Sequence, residues 1–551
     1  MPSEPSCEEQ WHNRLYYGDC LTIMQDMKSS SVDLIYLDPP FNSNQAYNAI
    51  YKDETGRPLP VQIEAFCDLW TLDEESERAI RTMPVLMREA GIEDETVEFW
   101  RLWMNALRAS NPKMLAYLSY MVQRLAVMKR LLRPAGSVYL HCDPTASHYI
   151  KVMMDGIFGH ENFRNEIVWK RNTSHNSGRQ FGRIHDIILF YSKSDKWTWN
   201  NIYASRYSDA QLSRFKKGAD GRMYKGDNLT AARPDSDSGK FEWRGTTPGP
   251  SRGWAYTEEQ LEEFWSEGRI LTKKNGAPRL DGLKVYLDEL PGPRTQSIWD
   301  DIPRIPNTSK ERLGYATQKP LALLERIIQA STNEGNVVLD PFCGCATTIE
   351  AAHRLKRKWI GIDIAIHAIK RVAAIRLGER CKLKAGRDFE IDGVPRTLEG
   401  AQDLWARDKY QFQKWAVEEV DGFVTTKRTA DGGIDGRLYF SVYGERELQS
   451  MIIEVKGGKN VTIAALRELR GVLENEEALL AGLIVMEPLG DRKMQNFQQF
   501  ASEAGDLEFE RSARPYPKMQ ILSVPEILEG KRFDTPTVMG KAEHPQTSLD
   551  V

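Results

Sequence analysis

Apolar residues along this chain follow two patterns: short unbroken runs, and longer stretches with apolar positions three and four apart. The runs DLIYLD (33–38), SVYLHC (137–142), EIVWK, HDIILFYS (185–192), NVVLD (336–340) and WIGID (359–363) predict buried strands. LTIMQDM (21–27), LSYMVQRLAVMKRLL (118–132), 146–157, LALLERIIQAS (321–331) and 347–355 predict helices, with Pro134 and Gly136 closing the second. RLYYGDC (14–20) reads as a turn. Strands separated by helices predict an α/β domain built on a mostly parallel sheet with helices on both faces.

Between about 195 and 310 the pattern lapses into a Gly-, Pro- and Trp-rich stretch, expected to form a lobe set into the sheet's connections. The strand and helix patterns return before 385. A charged linker is expected at 386–404, then a smaller α/β unit over 405–535 with helix–strand–strand–helix–strand order, and a tail at 536–551. A chain of 551 residues exceeds one core, which agrees with several units.

Composition changes this picture little, but charge placement does. The net charge is −4. Residues 51–110 carry 13 acids against 7 bases, marking 46–112 as an acidic helical insertion. Residues 161–240 carry 15 bases against 9 acids, a local excess able to meet a polyanion. The seven cysteines are scattered without CxxC pairs, which fits free thiols in a reducing cytoplasm. No run approaches the roughly 20 apolar residues of a membrane span. The N-terminal MPSEPSCEEQWHN has neither a basic start nor an apolar core, so no export signal and no membrane partner are expected.

Two strand ends carry candidate chemistry. In LDPPF (37–41), the prolines cannot join a sheet ladder, so Asp38 ends its strand on a stiff corner. In NVVLDPFCGCATTIEAA (336–352), a strand ends at Asp340 and turns through Gly344 and Ala346 into a helix. Such a loop lets a ligand approach backbone N–H groups. It lacks the lysine of a phosphate loop. Asp363 ends the following strand, where an acid accepts hydrogen bonds from ribose hydroxyls.

These residues resemble the amino-group-specific DNA methyltransferases that use S-adenosylmethionine. LDPPF is similar to their catalytic motif, DPFCGCATT (340–348) to their cofactor loop, and TQKP (317–320) to the motif upstream of it. YYGDC (16–20) resembles their conserved acid. The catalytic motif precedes the cofactor loop, as in the β subgroup, and Ala346 replaces the usual glycine. The resemblance covers roughly 14–380. It implies a Rossmann-like methyltransferase domain over 1–385, with a target-recognition lobe at about 170–310 acting on double-stranded DNA. The family's Asp before two prolines is commoner with N6-adenine, and N4-cytosine is the alternative. Asp38 and the Pro39 carbonyl would accept the two N–H bonds of the amine and free its lone pair, with Asp38 taking the proton. Pro40 stiffens the corner, and Phe41 would stack the flipped base, with Tyr47 a second wall. Asp19 would contact the cofactor's adenine and Asp363 its ribose. Asp340, Phe342, Gly344 and Thr347 would line the cofactor, and Gln318, Lys319 and Pro320 its methionine end. In the basic segment, Arg171, Arg179 and Arg183 are expected to touch DNA. The oligomeric state stays open, a homodimer included.

The third unit carries a second pattern. ADGGIDGRLYF (430–440) presents Asp435, and SMIIEVKGG (450–458) presents Glu454 and Lys456 on one face of a strand. Two carboxylates and a lysine suit Mg²⁺ and a metal-bound water. The arrangement resembles PD-(D/E)xK nucleases, Mrr-like restriction endonucleases in particular. That implies Asp435 and Glu454 as metal ligands and Lys456 as the group orienting or deprotonating water. FQKWAVEEV (412–420) resembles that family's opening helix, offering Glu418 or Glu419 to the metal. The alternatives are a unit that only binds DNA, and a whole chain that is a DNA-binding regulator.

Overall fold

The computed structural model describes residues 13–40, 46–49, 63–67, 70–172, 181–204, 207–232, 239–306, 308–313, 318–366, 368–425, 434–440, 442, 449–458, 461–476, 478–508 and 514–536. Its centre is a nine-stranded sheet. The strands are β1 (Asn13–Tyr17), β2 (Val32–Leu37), β3 (Leu132–Cys142), β4 (Phe163–Lys170), β5 (His185–Ser192), β6 (Ile298–Trp299), β7 (Val337–Asp340), β8 (Lys358–Asp363) and β9 (Phe389–Asp392). Their order is β6-β4-β5-β3-β2-β7-β8-β1-β9. Strand β5 runs against both neighbours and the other pairs are parallel, as the apolar runs predict.

Helices α1 (Cys20–Asp26), α4 (Pro112–Leu131), α5 (Ser147–Phe158), α6 (Leu321–Ser331) and α7 (Thr347–Arg354) connect the strands. Helix α4 starts where Asn111 caps Met114 N–H at 3.2 Å and Pro112 takes the first turn, where its missing N–H costs nothing. The acidic stretch contains α2 (Glu74–Glu89) and α3 (Asp94–Ser110), preceded by a hairpin of Ala46–Ala49 with Ile63–Cys67. Trp100 and Met104 of α3 are buried in one cluster with Met121 and Leu125 of α4.

Two expectations need correction. RLYYGDC is not a turn throughout: Asn13–Tyr17 lies between β8 and β9 in the sheet, and the chain leaves it at Gly18 (φ 147°), with Asp19 and Cys20 opening α1. Nor is 386–404 a spacer. β9 pairs in register with β1, Arg14 beside Glu390, and α8 (Leu398–Arg407) follows. The third unit then begins with α9 (Lys409–Glu419) and builds a five-stranded sheet in the order β10-β11-β12-β13-β14. These strands are Phe423–Val424, Gly436–Phe440, Gln449–Lys456, Leu480–Val485 and Met519–Ser523, and α10 (Ile463–Asn475) follows β12. Phe412 and Trp415 of α9 bury in the same cluster as Ile369 and Phe389, so the apolar interior runs unbroken from the large sheet into this unit.

Residues Asn201–Gln296 form a separate compact unit, shorter at both ends than the expected 170–310, because β5 and β6 belong to the large sheet. Its core joins Leu229, Trp243, Trp254, Leu261, Ile270 and Leu283. Entry and exit pair with each other: Ala204 N–H donates to Pro293 O at 2.8 Å, and Thr295 N–H to Ile202 O at 2.9 Å. Among the described residues no helix is long and apolar enough to cross a membrane.

Candidate active site

Strands β2 and β7 are neighbours, with Leu34 opposite Val338, so Asp38 and Asp340 leave the same edge side by side. The proline corner and the glycine loop, far apart in sequence, therefore share one crevice at the carboxyl ends of parallel strands, the usual ligand site of such sheets. Pro39 is buried behind the corner. One Asp38 oxygen, Oδ2, is held by the Lys319 ammonium. The other, Oδ1, is buried and accepts no hydrogen bond among the described residues. An acceptor so placed is costly unless a ligand donor meets it. Phe41 lies outside the described residues, and Tyr47 falls on the strand Ala46–Ala49.

The loop after β7 is shaped by backbone. Gly344 (φ 48°) and Ala346 (φ 60°) both take left-handed conformations, the second disfavoured for alanine, whose methyl is nevertheless fully buried. Asp363 braces the loop: it accepts Gly344 N–H at 2.8 Å and Ala365 N–H at 2.9 Å. Burial lifts its carboxyl above the usual range although these bonds oppose the rise. Asp19 caps α1 through Leu21 N–H at 2.5 Å and pairs with Arg124 Nη2 at 2.6 Å. Arg124 also lies 3.3 Å over the Tyr120 ring, and Tyr120 faces Phe342 at 6.4 Å. An aromatic wall and an anchored acid thus flank the loop, which suits an adenosine-bearing cofactor.

Two expected cofactor residues are engaged elsewhere. The Thr347 hydroxyl accepts from Arg376 Nη1 at 2.9 Å inside a buried cluster with Glu350. Gln318 takes Leu313 N–H at 2.8 Å and donates to Glu311 O at 2.7 Å, ordering its own segment, while Pro320 precedes α6 as its cap residue. Lys319 reaches the Asp38 carboxylate, a contact its motif position did not announce.

Burial pushes the Asp340 carboxyl up to about 7, with the Thr348 hydroxyl and Phe342 N–H opposing and nearby Asp38 and Asp363 adding to the rise. An unfolded aspartate ionises near pH 3.9, so the fold is favoured in full below that pH and loses stability as pH climbs toward 7. Asp340→Asn is therefore expected to raise the thermal midpoint of cofactor-free protein at pH 8 by the equivalent of roughly 4 kcal/mol at most. The gain should shrink toward pH 5. Calorimetry at both pH values checks it, and an equal gain at both would contradict a neutral Asp340.

The sequence reading missed a buried polar line beneath the corner. Tyr36 Oη lies 3.0 Å from His141 Nδ1, His141 Nε2 lies 3.2 Å from Asp186, and Arg171 lies 3.3 Å from Asp186. Burial alone would raise the Asp186 carboxyl, but His141, Lys319 and Arg171 hold it below the usual range. Polar residues interrupting the apolar runs SVYLHC and HDIILFYS were the available signal, as was Arg124 inside an apolar helix. Arg171 thus anchors to the sheet. Arg183 is exposed, donates to Thr145 Oγ1 at 3.3 Å, and sits at the same hairpin end; Arg179 lies outside the described residues.

In the third unit Asp435, Glu454 and Lys456 do converge. Asp435 precedes β11 and accepts Val455 N–H from β12 at 2.7 Å. Glu454 Oε1 pairs with Lys456 Nζ at 2.5 Å, and its buried Oε2 accepts no hydrogen bond among the described residues. Burial raises both carboxyls. Burial opposes the Lys456 charge, but the Glu454 bond together with the charges of Glu454, Asp435 and Glu468 raises Lys456 above its ordinary value. An orphaned carboxylate oxygen beside a second acid fits a hard cation. Glu468 of α10, unnoticed in the sequence, lines a cleft of about 270 Å³ with Lys456. Among the described residues no group of three His, Cys, Asp or Glu is arranged to hold a metal. Glu418 and Glu419 do not join this site: Glu418 accepts Ile366 N–H at 3.0 Å, and Glu419 pairs with Lys370 at 2.7 Å.

A family model described as DNA methylase matches residues 32–374. The type II methyltransferase M.EcaI of Enterobacter cloacae is 34% identical over 258 residues, 47% of this chain and 56% of that protein. The StyLTI Mod subunit, a type III restriction-modification enzyme of Salmonella typhimurium, is 26% identical over 63% of this chain and 50% of its own length. The chain thus spans about half the length of these two relatives. The DNA adenine methyltransferase YhdJ of Escherichia coli is 24% identical over 65% of this chain and 80% of that protein.

Proposed function

Because the chain belongs to the DNA methylase family matched over residues 32–374, we propose that it methylates the N6 amino group of adenine in duplex DNA with S-adenosylmethionine. The observation that carries this reading is the buried Asp38 Oδ1, without a hydrogen bond among the described residues, just past a strand adjacent to the one that leads into the cofactor loop. When bound, the cofactor supplies an electrophilic methyl group. The aromatic wall of Tyr120 and Phe342, the anchored Asp19 and the Asp363 brace would hold it. An exocyclic amine is a weak nucleophile because its lone pair is delocalised into the ring. Lys319 holds Asp38 by one oxygen, leaving the other, with the Pro39 carbonyl, to accept the amine's N–H bonds and restore the lone pair. Asp38 then takes the departing proton, and positioning supplies much of the acceleration. The base must leave the duplex to reach this corner. Residues 201–296 and the basic segment that holds Arg179 and Arg183 would read the target, these arginines gripping phosphate.

Similarity to an adenine methyltransferase over most of that protein's length favours adenine over N4-cytosine. Long-read sequencing of DNA from a host expressing the protein should report N6-methyladenine in one sequence context. Recovery of N4-methylcytosine from digested nucleosides would reverse that assignment.

A second activity is favoured by the Glu454 oxygen left bare beside Asp435. We infer a restriction-type nuclease site in which Asp435 and Glu454 would hold Mg²⁺, which would supply an activated water. Lys456 and Glu468 would shape its surroundings.

A further inference from the structure

The helix opening the third unit meets the large sheet at its most sensitive point. Glu418 of α9 accepts Ile366 N–H at 3.0 Å, and Gln411 of the same helix donates to Ile364 O at 3.1 Å. Tyr17, at the end of β1, donates to Gln411 O at 3.4 Å, and Lys370 pairs with Glu419 at 2.7 Å. Residues 364 and 366 directly follow Asp363, whose carboxylate holds the N–H groups of Gly344 and Ala365. Lys414, also on α9, lies within electrostatic reach of that carboxylate. Gln411 is only 3% exposed and is itself fixed at the helix start, where Asp408 caps its N–H at 3.0 Å.

We propose that α9 is a working part of the cofactor site, with Glu418 and Gln411 as positioning residues that set the Asp363 loop. The proposal rests on the methyltransferase reading and assigns part of that site to the unit that resembles a nuclease. Without α9, two backbone groups just after Asp363 lose their partners, and the loop gains freedom that the ligand must remove on binding. The expected effect is on affinity: neither side chain reaches the crevice where Asp38 meets the base. The opposite face of α9 is equally committed. A Cβ on Gly436, the residue after Asp435, would stand 2.4 Å from Val417, so helix and strand cannot slide independently.

The test uses full-length protein and S-adenosylmethionine titrated by calorimetry. Glu418→Ala should raise the dissociation constant about tenfold, the scale of one lost hydrogen bond to an ionised acceptor. Glu418→Gln, which keeps an acceptor, should return it to within about threefold. Gln411→Met should resemble the alanine variant. Methyl transfer at saturating cofactor should keep its turnover number, so that only KM moves. Folded Glu418→Ala or Gln411→Met protein that binds like wild type overturns the proposal while leaving the methyltransferase reading intact. Wild-type protein that binds no S-adenosylmethionine overturns both.

Discussion

Asp38→Ala is expected to lower methyl transfer about a thousandfold or more, while the dissociation constant for S-adenosylmethionine stays within about threefold of wild type. The separation follows from where the side chain points its bonds. One oxygen is fixed by Lys319 and the other accepts no hydrogen bond among the described residues, whereas the cofactor loop is braced by Asp363. Asp363→Ala, by contrast, removes the acceptor for Gly344 and Ala365 and should weaken cofactor binding by an order of magnitude or more. Removing Asp38 also takes a carboxylate partner from the nearly buried Lys319, so Asp38→Asn is the gentler companion and should be equally inactive. Parallel titration and radiolabelled methyl transfer on the three variants settle the matter. Equal loss of cofactor affinity in the Asp38 and Asp363 variants would dismantle the assignment.

The second large effect concerns the other end of the chain. Lys456→Ala should abolish Mg²⁺-dependent DNA cleavage and spare methylation, because Lys456 pairs with Glu454 on a different sheet from the strand that leads to Asp38. With its ammonium gone, Glu454 loses the one partner on Oε1 and burial pushes its carboxyl further toward the neutral form, a poor cation ligand. Cleavage of unmethylated and methylated plasmid, with and without Mg²⁺, provides the readout. Wild-type protein that never cuts either substrate would leave the third unit as a DNA-binding module.

The placement of Asp38 and Asp340 was legible because both end apolar strands at residues that stop a sheet, and such punctuation is local. Helix α6 was readable to its ends for the same reason: its apolar spacing and the preceding proline lie in one window. What escaped was non-local. Strand β1 is only five residues long and is defined by partners more than 340 positions away, which no period in RLYYG can announce. Lys319 and Asp38 are 281 positions apart, so their pairing exists only once the sheet closes. The stretch 386–404 looked like a linker because its charges mask a four-residue strand whose register β1 sets. Glu418 and Glu419 looked available to a metal because a helix acid says nothing about which neighbour its face will meet.

The paired entry and exit of residues 201–296 have an evolutionary corollary. A unit with its own tryptophan-rich interior, leaving and returning through a two-strand neck, can be exchanged between relatives as a cassette. On the proposed reading of that unit as the target reader, recombination at the neck would yield new target sequences with the proline corner and its lysine left unaltered.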